Sequence, residues 1–399
     1  MRVSFRPLAA LSLLLLTVLI TASISAQTAP RPNVAVLTYE QSPSTRIRLD
    51  SYAPGSASPR ALHVFDKGPV VDVSSDFQWN VAYGFDAQAR HDTLRYGPLK
   101  GPQVQVPVDS GHSVLGAKFS ANSRFLSYTT ASPATQDWVL GLVRLDGGQR
   151  IEFTGKFSAR GNAAPFDGVA NALGWSADGR RLFVIAYRPF TEGGAFGGIY
   201  ALDLSGINFD RPERRPLPAL MPLISGGPLV TQVLISPDAS RLAYLFNDPA
   251  NPAQDYDSGP GYGVTVNTLG LYDLNASKAL FTAQAGKGQA FETMTWTPDS
   301  QKVLLTAGNY RQTNYLVTPT LIIVDVGQMQ VGQGSQITTD PKAMVGSMLA
   351  CGTTLYYQLS FDENGALTPY LYSAPLADVK QHSDRLTSGA DFRLLMCAP

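Results

Sequence analysis

The residue types that carry most enzyme and metal chemistry are few and scattered in this sequence. No two of its four histidines have the spacing that a zinc or copper site needs. They are His63, His91, His112 and His382. No G-x-S-x-G segment is present to place a nucleophilic serine on a sharp turn. We therefore predict no catalytic residue and no bound cofactor, and we expect ordinary surface or loop histidines.

One loop collects the oxygen ligands that Ca²⁺ prefers. It contains Asp248, Asn251, Asp255 and Asp257. The segment Asp-Tyr-Asp-Ser-Gly lacks the later acidic ligand of an EF-hand loop, so we favour a solvated, turn-rich loop. A calcium site at this loop is the alternative.

A repeated phrase indicates which elements position these residues. It consists of an apolar residue, Ser or Thr, any residue, Asp or Asn, and soon an apolar run. It starts at Val73, Phe119, Trp175, Ile235 and Trp296, at intervals of 46, 56, 60 and 61 residues. Strand-turn-strand units that recur at this period are typical of a β-propeller, an all-β ring of four-stranded blades.

Counting these units predicts one seven-bladed propeller, with six or eight blades as alternatives. Inner strands are expected near residues 70, 115, 172, 232, 293, 348 and 394. In the unit that starts at Asn171, the fourth strand is expected within Pro216 to Ile224. No inner strand precedes Val34 to Tyr39, so the last strand, Phe392 to Cys397, is predicted to complete the first blade. Closure of this kind removes exposed sheet edges.

The turn phrases WSADGRRL, ISPDASRL and WTPDSQKV resemble the repeats of the TolB family of WD-repeat-like propellers. The resemblance covers about residues 70 to 397 and implies a propeller fold. Such blades occur in periplasmic scaffolds and in the propeller domains of prolyl peptidases. This chain has no room for TolB's separate N-terminal domain and no hydrolase segment, so neither TolB's role nor peptidase chemistry is implied. We expect Trp175 and Trp296, just before the turns, to pack between blades.

The beginning of the sequence has the layout of a secretory signal peptide. Arg2 and Arg6 form a positive segment before an apolar run from Leu8 to Ile20, and small residues extend to Ala26. We predict a signal peptide over residues 1–26 and a propeller domain over residues 27–399. The mature protein is then secreted, periplasmic or in the cell envelope, with no membrane insertion. An uncleaved anchor is the alternative, because the apolar run is close to spanning length.

The composition agrees with an exported β protein and excludes one class of partner. Charged residues make up 16% of the chain, and 36 Gly and 28 Pro suit short strands joined by tight turns. The 31 basic and 31 acidic residues balance, and no basic stripe is present. We therefore expect no nucleic-acid binding.

The long loops predict where a ligand binds. In a propeller, the loops between second and third strands and the connections between blades open on one face, and here they are the longer ones. We predict that this face binds a protein, peptide or glycan without catalysis. The candidate rim residues are Arg188, Phe190, Glu192, Asp255, Tyr256, Asp257, Tyr310, Arg311 and Tyr315. The alternative is a small-molecule hydrolase or lyase with a metal or acid-base site at the channel mouth, near which His112 and Asp109 are expected.

The two cysteines, Cys351 and Cys397, stand where the other units place the Ser or Thr of the turn. By the blade count, these positions end the inner strands of the seventh and first blades, which are neighbours in the ring. Because an exported chain meets oxidising conditions, we predict a disulfide between them. Two buried free thiols are the alternative.

Overall fold

The computed structural model arranges the chain as a ring of seven sheets, antiparallel except for one parallel pair in blade 3. It describes residues 33–40, 46–65, 70–86, 91–147, 149–157, 168–187, 196–225, 230–248, 266–286, 289–310, 316–332, 334–338, 340, 343–363, 366–379, 383–387 and 391–398. The fold is an all-β, seven-bladed propeller, as the repeat predicts. Within these residues, no helix is long and apolar enough to cross a membrane.

The strands are numbered along the chain and grouped by blade. Blade 1 contains β1 (Asn33–Glu40), β2 (Arg46–Tyr52) and β3 (Arg60–Phe65). Blade 2 contains β4 (Val70–Val73), β5 (Trp79–Asp86), β6 (His91–Pro98) and β7 (Val104–Val106). Blade 3 contains β8 (Ser113–Phe119), β9 (Phe125–Ala131), β10 (Asp137–Arg144) and β11 (Arg150–Lys156). Blade 4 contains β12 (Val169–Trp175), β13 (Arg181–Tyr187) and β14 (Phe196–Asp203), followed by β15 (Glu213–Pro216) and β16 (Met221–Ser225).

The remaining blades follow the same plan. Blade 5 contains β17 (Val230–Ile235), β18 (Arg241–Phe246), β19 (Thr268–Asp273) and β20 (Lys278–Gln284). Blade 6 contains β21 (Gln289–Trp296), β22 (Lys302–Tyr310), β23 (Leu316–Asp325), β24 (Gln330–Val331) and β25 (Ser335–Gln336). Blade 7 contains β26 (Met344–Cys351), β27 (Thr354–Glu363), β28 (Ala366–Pro375) and β29 (Asp384–Arg385), and the chain ends in β30 (Asp391–Ala398).

The last strand closes the ring inside blade 1. β30 runs antiparallel to β1, with Val34 opposite Cys397 and Tyr39 opposite Asp391. The sheet order is β3-β2-β1-β30, so β30 is the inner strand that blade 1 otherwise lacks. The predicted closure is confirmed. It covers the edge of β1, which would otherwise offer unpaired backbone groups to another chain.

The recurring Ser-x-Asp phrase forms the same hydrogen-bonded turn in five blades. In blade 4, the Ser176 hydroxyl donates to Asp178 Oδ1 at 2.6 Å and accepts from the Arg181 amide at 2.9 Å. The hydrogen bond from Ser176 lowers the pKa of Asp178. The fourth turn residue has positive φ in every case: Phe77, Ser123, Gly179, Ala239 and Ser300. Each turn therefore satisfies its own polar groups and joins an inner strand to a second strand on one face of the ring.

Apolar side chains between the blades form the core. Trp175 and Trp296 are only 3% and 5% exposed, and each packs in a cluster shared with a neighbouring blade. The indole Nε1 of Trp296 donates to the Leu234 carbonyl of blade 5 at 3.2 Å. The prediction that these two tryptophans belong to the core is confirmed.

One strand crosses between blades, which the repeat does not predict. The fourth strand of blade 4 is β16, which begins at Met221 within the expected segment and ends one residue beyond it. Before it, β15 pairs in parallel with β11 and becomes the outermost strand of blade 3. A pattern that repeats within one blade carries no information about this pairing, because the partner belongs to another repeat.

Cys351 and Cys397 lie at disulfide distance, with their Cα atoms 5.4 Å apart. Cys351 ends β26 of blade 7, and Cys397 is the penultimate residue of β30 in blade 1. The pair therefore links the two blades that meet where the ring closes, as the sequence predicts.

Candidate functional site

The predicted rim residues fall almost entirely outside the part of the chain that the structure describes. Arg188, Phe190, Glu192, Asp255, Tyr256, Asp257, Arg311 and Tyr315 lie outside it. Tyr310 is the last residue of β22, and only its backbone is described. In the proposed calcium loop, Asp248 is described and accepts a bond from Gln284 Nε2 at 3.2 Å. The rest of that loop is not described, so the rim and the calcium site remain predictions.

His112 is held inside blade 3. Its side chain is 5% exposed, with Nδ1 3.1 Å from Thr130 Oγ1 and Nε2 3.2 Å from Asp137 Oδ1. These partners lie on β9 and β10, so the imidazole extends along the blade over its second and third strands. His112 precedes the inner strand β8, as expected, and its position relative to the channel mouth stays a prediction. The repeat locates its backbone before an inner strand, but the direction of the side chain depends on partners that the motif does not include.

A first cavity of about 320 Å³ opens beside His112; we call it the blade 3 cavity. It is lined by His112, Asp137, Trp138, Val139, Thr154, Gly155, Lys156 and Arg214. His112 precedes β8, Asp137 begins β10 and Lys156 ends β11. The cavity therefore lies at the end of the blade where the inner strand begins, opposite the Ser-x-Asp turns.

Ion pairs hold Arg214 at the wall of the blade 3 cavity. Arg214, on the crossing strand β15, forms two contacts with the Asp109 carboxylate and lies 3.6 Å from Glu152 Oε2. Arg150 lies 3.3 Å from Glu152 Oε1, and the buried Tyr128 hydroxyl donates to the same oxygen at 2.7 Å. Hydrogen bonding to Arg214 lowers the pKa of Asp109. We call these five residues the Arg214 network. Its contacts attach β15 to blade 3.

A second cavity, of about 340 Å³, lies at the same face of the ring; we call it the blade 7 cavity. It is lined by Glu292, Met344, Val345, Gly346, Gln358, Ser360, Leu367, Pro369 and Asp391. Met344 begins β26 and Asp391 begins β30, so this cavity too opens where inner strands begin. Its lining combines two carboxylates, one amide and one hydroxyl with an apolar wall.

Three consecutive blades build the blade 7 cavity. Gln358 and Ser360 project from the same face of β27 as Tyr356, because side chains alternate along a strand. The Tyr356 hydroxyl donates to the Tyr52 carbonyl of blade 1 at 3.3 Å, so this face looks towards blade 1. Asp391 comes from the closing strand of blade 1, and Glu292 comes from the inner strand of blade 6. The cavity therefore depends on ring closure.

Glu292 lies in an irregular part of its strand. The register between β21 and β22 shifts between Phe291 and Met294, which inserts one extra residue into β21. The inner strands of the other six blades have the same one-residue shift, so this β-bulge is a feature of the repeat and does not by itself mark a site. Here the bulge coincides with a carboxylate that lines a cavity.

The electrostatic state of Glu292 is unusual in this protein. Its Oε2 atom is buried and has no hydrogen-bond partner among the described residues. Burial raises the pKa of Glu292 to about 7, and no neighbouring charge contributes to the shift. Near neutral pH the group is thus divided between its acid and carboxylate forms. Such a group can bind a cation or exchange a proton.

Glu292 is not among the site residues predicted from the sequence. Aligning the repeats on the Ser or Thr of the turn would have found it, five residues before Thr297. The same position holds Leu115, Asn171 and Thr231 in blades 3, 4 and 5. A carboxylate appears there only in blade 6 of these four, and that contrast was the available signal.

Comparison with known proteins supports the propeller fold and indicates neither a family nor an activity. No family model and no curated protein matches the chain. The β-propeller domain of the Trilobed protease from Pyrococcus furiosus is 11% identical with a TM-score of 0.54, covering 90% of this chain and 96% of that one. That domain is described as having an open velcro topology, whereas β30 closes blade 1 here.

Two further solved structures are less similar. A chain of the mitotic checkpoint complex is 14% identical with a TM-score of 0.48, covering 98% of this chain and 90% of that one. A chain of Kuenenia stuttgartiensis hydrazine synthase is 12% identical with a TM-score of 0.47, covering 82% and 97%.

Proposed function

We propose that this protein is a non-catalytic propeller that binds a protein, peptide or glycan on the face where the inner strands begin. The observation that carries this proposal is the blade 7 cavity, whose lining includes Glu292, a residue with a buried carboxyl oxygen that has no partner among the described residues. On the opposite face, the Ser, Thr and Asp side chains of the turns bond to one another. They also accept hydrogen bonds from backbone amides of the same turns. Unsatisfied polar groups in a concave surface favour a ligand, and self-satisfied turns do not.

Site-specific photo-crosslinking tests which face binds. A photoreactive amino acid replaces Leu367, which is 48% exposed and lines the blade 7 cavity. The control places it at the exposed Gln301, in the Ser-x-Asp turn of blade 6. Purified variants are irradiated in an extract of the native host. We expect discrete adducts from position 367 alone; equal labelling at both positions, or none at 367, contradicts the proposal.

A second candidate, a small-molecule hydrolase or lyase, is favoured by one observation. A carboxyl group with a pKa of about 7 is suited to general acid-base catalysis at neutral pH. If this candidate is correct, a small molecule crosslinked at position 367 is a substrate that the protein converts to product. The rate of conversion should fall at least about 100-fold in Glu292→Gln. A bound molecule recovered unchanged after prolonged incubation favours the binding role.

We also propose that the protein acts outside the cytoplasm, in the periplasm or after secretion, as a TolB-like propeller. The signal-like first 26 residues and the cysteine pair at disulfide distance support this location. Fractionation of the native host, with N-terminal sequencing of the mature chain, is the test. A cytoplasmic protein that still begins at Met1 contradicts it.

A further inference from the structure

We propose that the blade 7 cavity binds a primary ammonium group at the end of an apolar chain, with Glu292 as its counter-ion. This inference rests on the proposed binding function and names the chemistry of the ligand. The ammonium can come from a lysine side chain of a polypeptide or from a free diamine, and the experiment below separates these sources.

The polar groups of the cavity select a cation. Glu292 and Asp391 are the titratable residues in its described lining, and both become negative on ionisation. The Gln358 amide and the Ser360 hydroxyl add neutral oxygens that can accept hydrogen bonds. No Lys or Arg is among the described lining residues, so a bound cation meets no like charge there.

The shape of the lining favours ammonium over guanidinium. Met344, Leu367 and Pro369 supply an apolar wall on which a chain of methylene groups can lie. A single carboxyl oxygen, Oε2 of Glu292, is buried without a partner. An ammonium is a compact charge whose three N–H donors can be shared among Glu292, the Gln358 amide oxygen and the Ser360 hydroxyl. A guanidinium pairs best with two acceptors held in one plane.

The volume agrees with a small group rather than a large ligand. About 340 Å³ is near the lower end of the range for small-molecule sites and accommodates one amino-acid side chain or a short diamine. A larger partner would place only one such group in the cavity, while the rest of its surface covers the face of the ring.

Binding of a cation must be linked to the ionisation of Glu292. At pH 7 about half of the Glu292 side chains carry a proton, and an ammonium requires the carboxylate form. Binding near pH 7 is therefore expected to release about half a proton per site. Affinity is expected to be about tenfold stronger at pH 8 than at pH 6, because the ionised fraction rises by that factor.

Titration calorimetry with four probes tests the proposal on the full mature protein. They are Nα-acetyl-lysine N-methylamide, its norleucine and arginine counterparts, and 1,4-diaminobutane. We expect at least about tenfold tighter binding of the lysine probe than of the uncharged norleucine probe. Similar binding of the norleucine probe, tighter binding of the arginine probe, or no binding of either ammonium probe overturns the proposal.

A matched pair of variants tests the role of Glu292. Glu292→Gln is expected to weaken ammonium binding at least about tenfold and to abolish proton release, measured in buffers of different ionisation enthalpy. Glu213→Gln removes the same charge from exposed β15 and should change neither. Proton release that persists in Glu292→Gln overturns the assignment.

The source of the ammonium and the proposed function are judged separately. Preference for the lysine probe indicates a polypeptide ligand, and preference for 1,4-diaminobutane indicates a free amine. If ammonium probes fail while crosslinking at position 367 still yields adducts, only this inference fails. If both fail, the proposed binding face fails as well.

Discussion

The two cavities lie on the same face of the ring and have similar volumes, about 320 and 340 Å³, but their acidic groups differ in electrostatic state. Beside the blade 3 cavity, Glu152 receives bonds from Tyr128 and lies against two arginines. In the blade 7 cavity, Glu292 has a buried oxygen without a partner. One carboxylate is fully compensated within the protein, and the other is not.

This difference separates a structural role from a binding role. A buried charge that is paired and hydrogen-bonded stabilises a particular packing, here the crossing of β15 onto blade 3. A buried carboxyl without a partner destabilises the fold whenever it ionises, and a ligand can supply the missing counter-charge. The contrast supports a structural role for Arg214 and the proposed ligand contact at Glu292.

The largest effect is expected from removing the strand that closes the blade 7 cavity. Deletion of residues 391–399 removes β30, uncovers the edge of β1 and removes Asp391 from the cavity. We expect the melting temperature to fall by more than about 10 °C, with loss of ammonium binding. A Cys397→Ser variant, which keeps the strand, is the control. A truncated chain as stable as this control would show that closure contributes little.

Loss of the cysteine pair is expected to have the next largest effect. The cysteines are 46 residues apart, and closing a loop of that length stabilises by at most about 4 kcal/mol in the chain-entropy view. Chemical denaturation of Cys351→Ser/Cys397→Ser measures this loss. Because the pair joins the strands that carry Met344 and Asp391, ammonium binding should weaken too. Unchanged stability of the double variant under oxidising conditions contradicts the prediction.

Glu292→Gln is expected to make the protein more stable at high pH. The folded-state pKa of Glu292, about 7, exceeds the ordinary 4.5, so its contribution is fully present below pH 4.5 and is lost as pH rises through 7. From pH 4.5 to pH 8, the variant should gain at most about 3 kcal/mol relative to the wild type. Denaturation curves at several pH values measure this difference, with Glu213→Gln as the control. A difference independent of pH would show that Glu292 titrates normally.

The same substitution at the other cavity is expected to act in the opposite direction. Glu152→Gln removes the charge that faces Arg150 and Arg214, and it should cost roughly 2 kcal/mol at neutral pH. Urea denaturation at pH 7 measures this cost, and ammonium binding in the blade 7 cavity should be unchanged. Stabilisation by Glu152→Gln would remove the distinction between the two cavities.

Much of the fold could be predicted from the sequence because each blade repeats a local pattern. The turn depends on contacts within six residues, such as Ser176 with Asp178 and Arg181, so a short phrase specifies it. The count of unpaired first and last strands predicts closure between β1 and β30, since an open edge is unfavourable. Closure also makes the first and seventh blades neighbours. Because Cys351 and Cys397 end the inner strands of these two blades, their positions in the repeat predict that they lie close together.

The candidate site depends on contacts that no repeat contains. The blade 7 cavity brings together Glu292, Gln358 and Asp391 from three blades. The Arg214 network depends on a strand that leaves its own blade for the preceding one. The direction of His112 depends on Thr130 and Asp137, which lie 18 and 25 residues away. The sequence by itself determined the architecture through local turns and strand counting. Only the tertiary structure decided which charges are paired, because burial and counter-charges come from neighbouring blades.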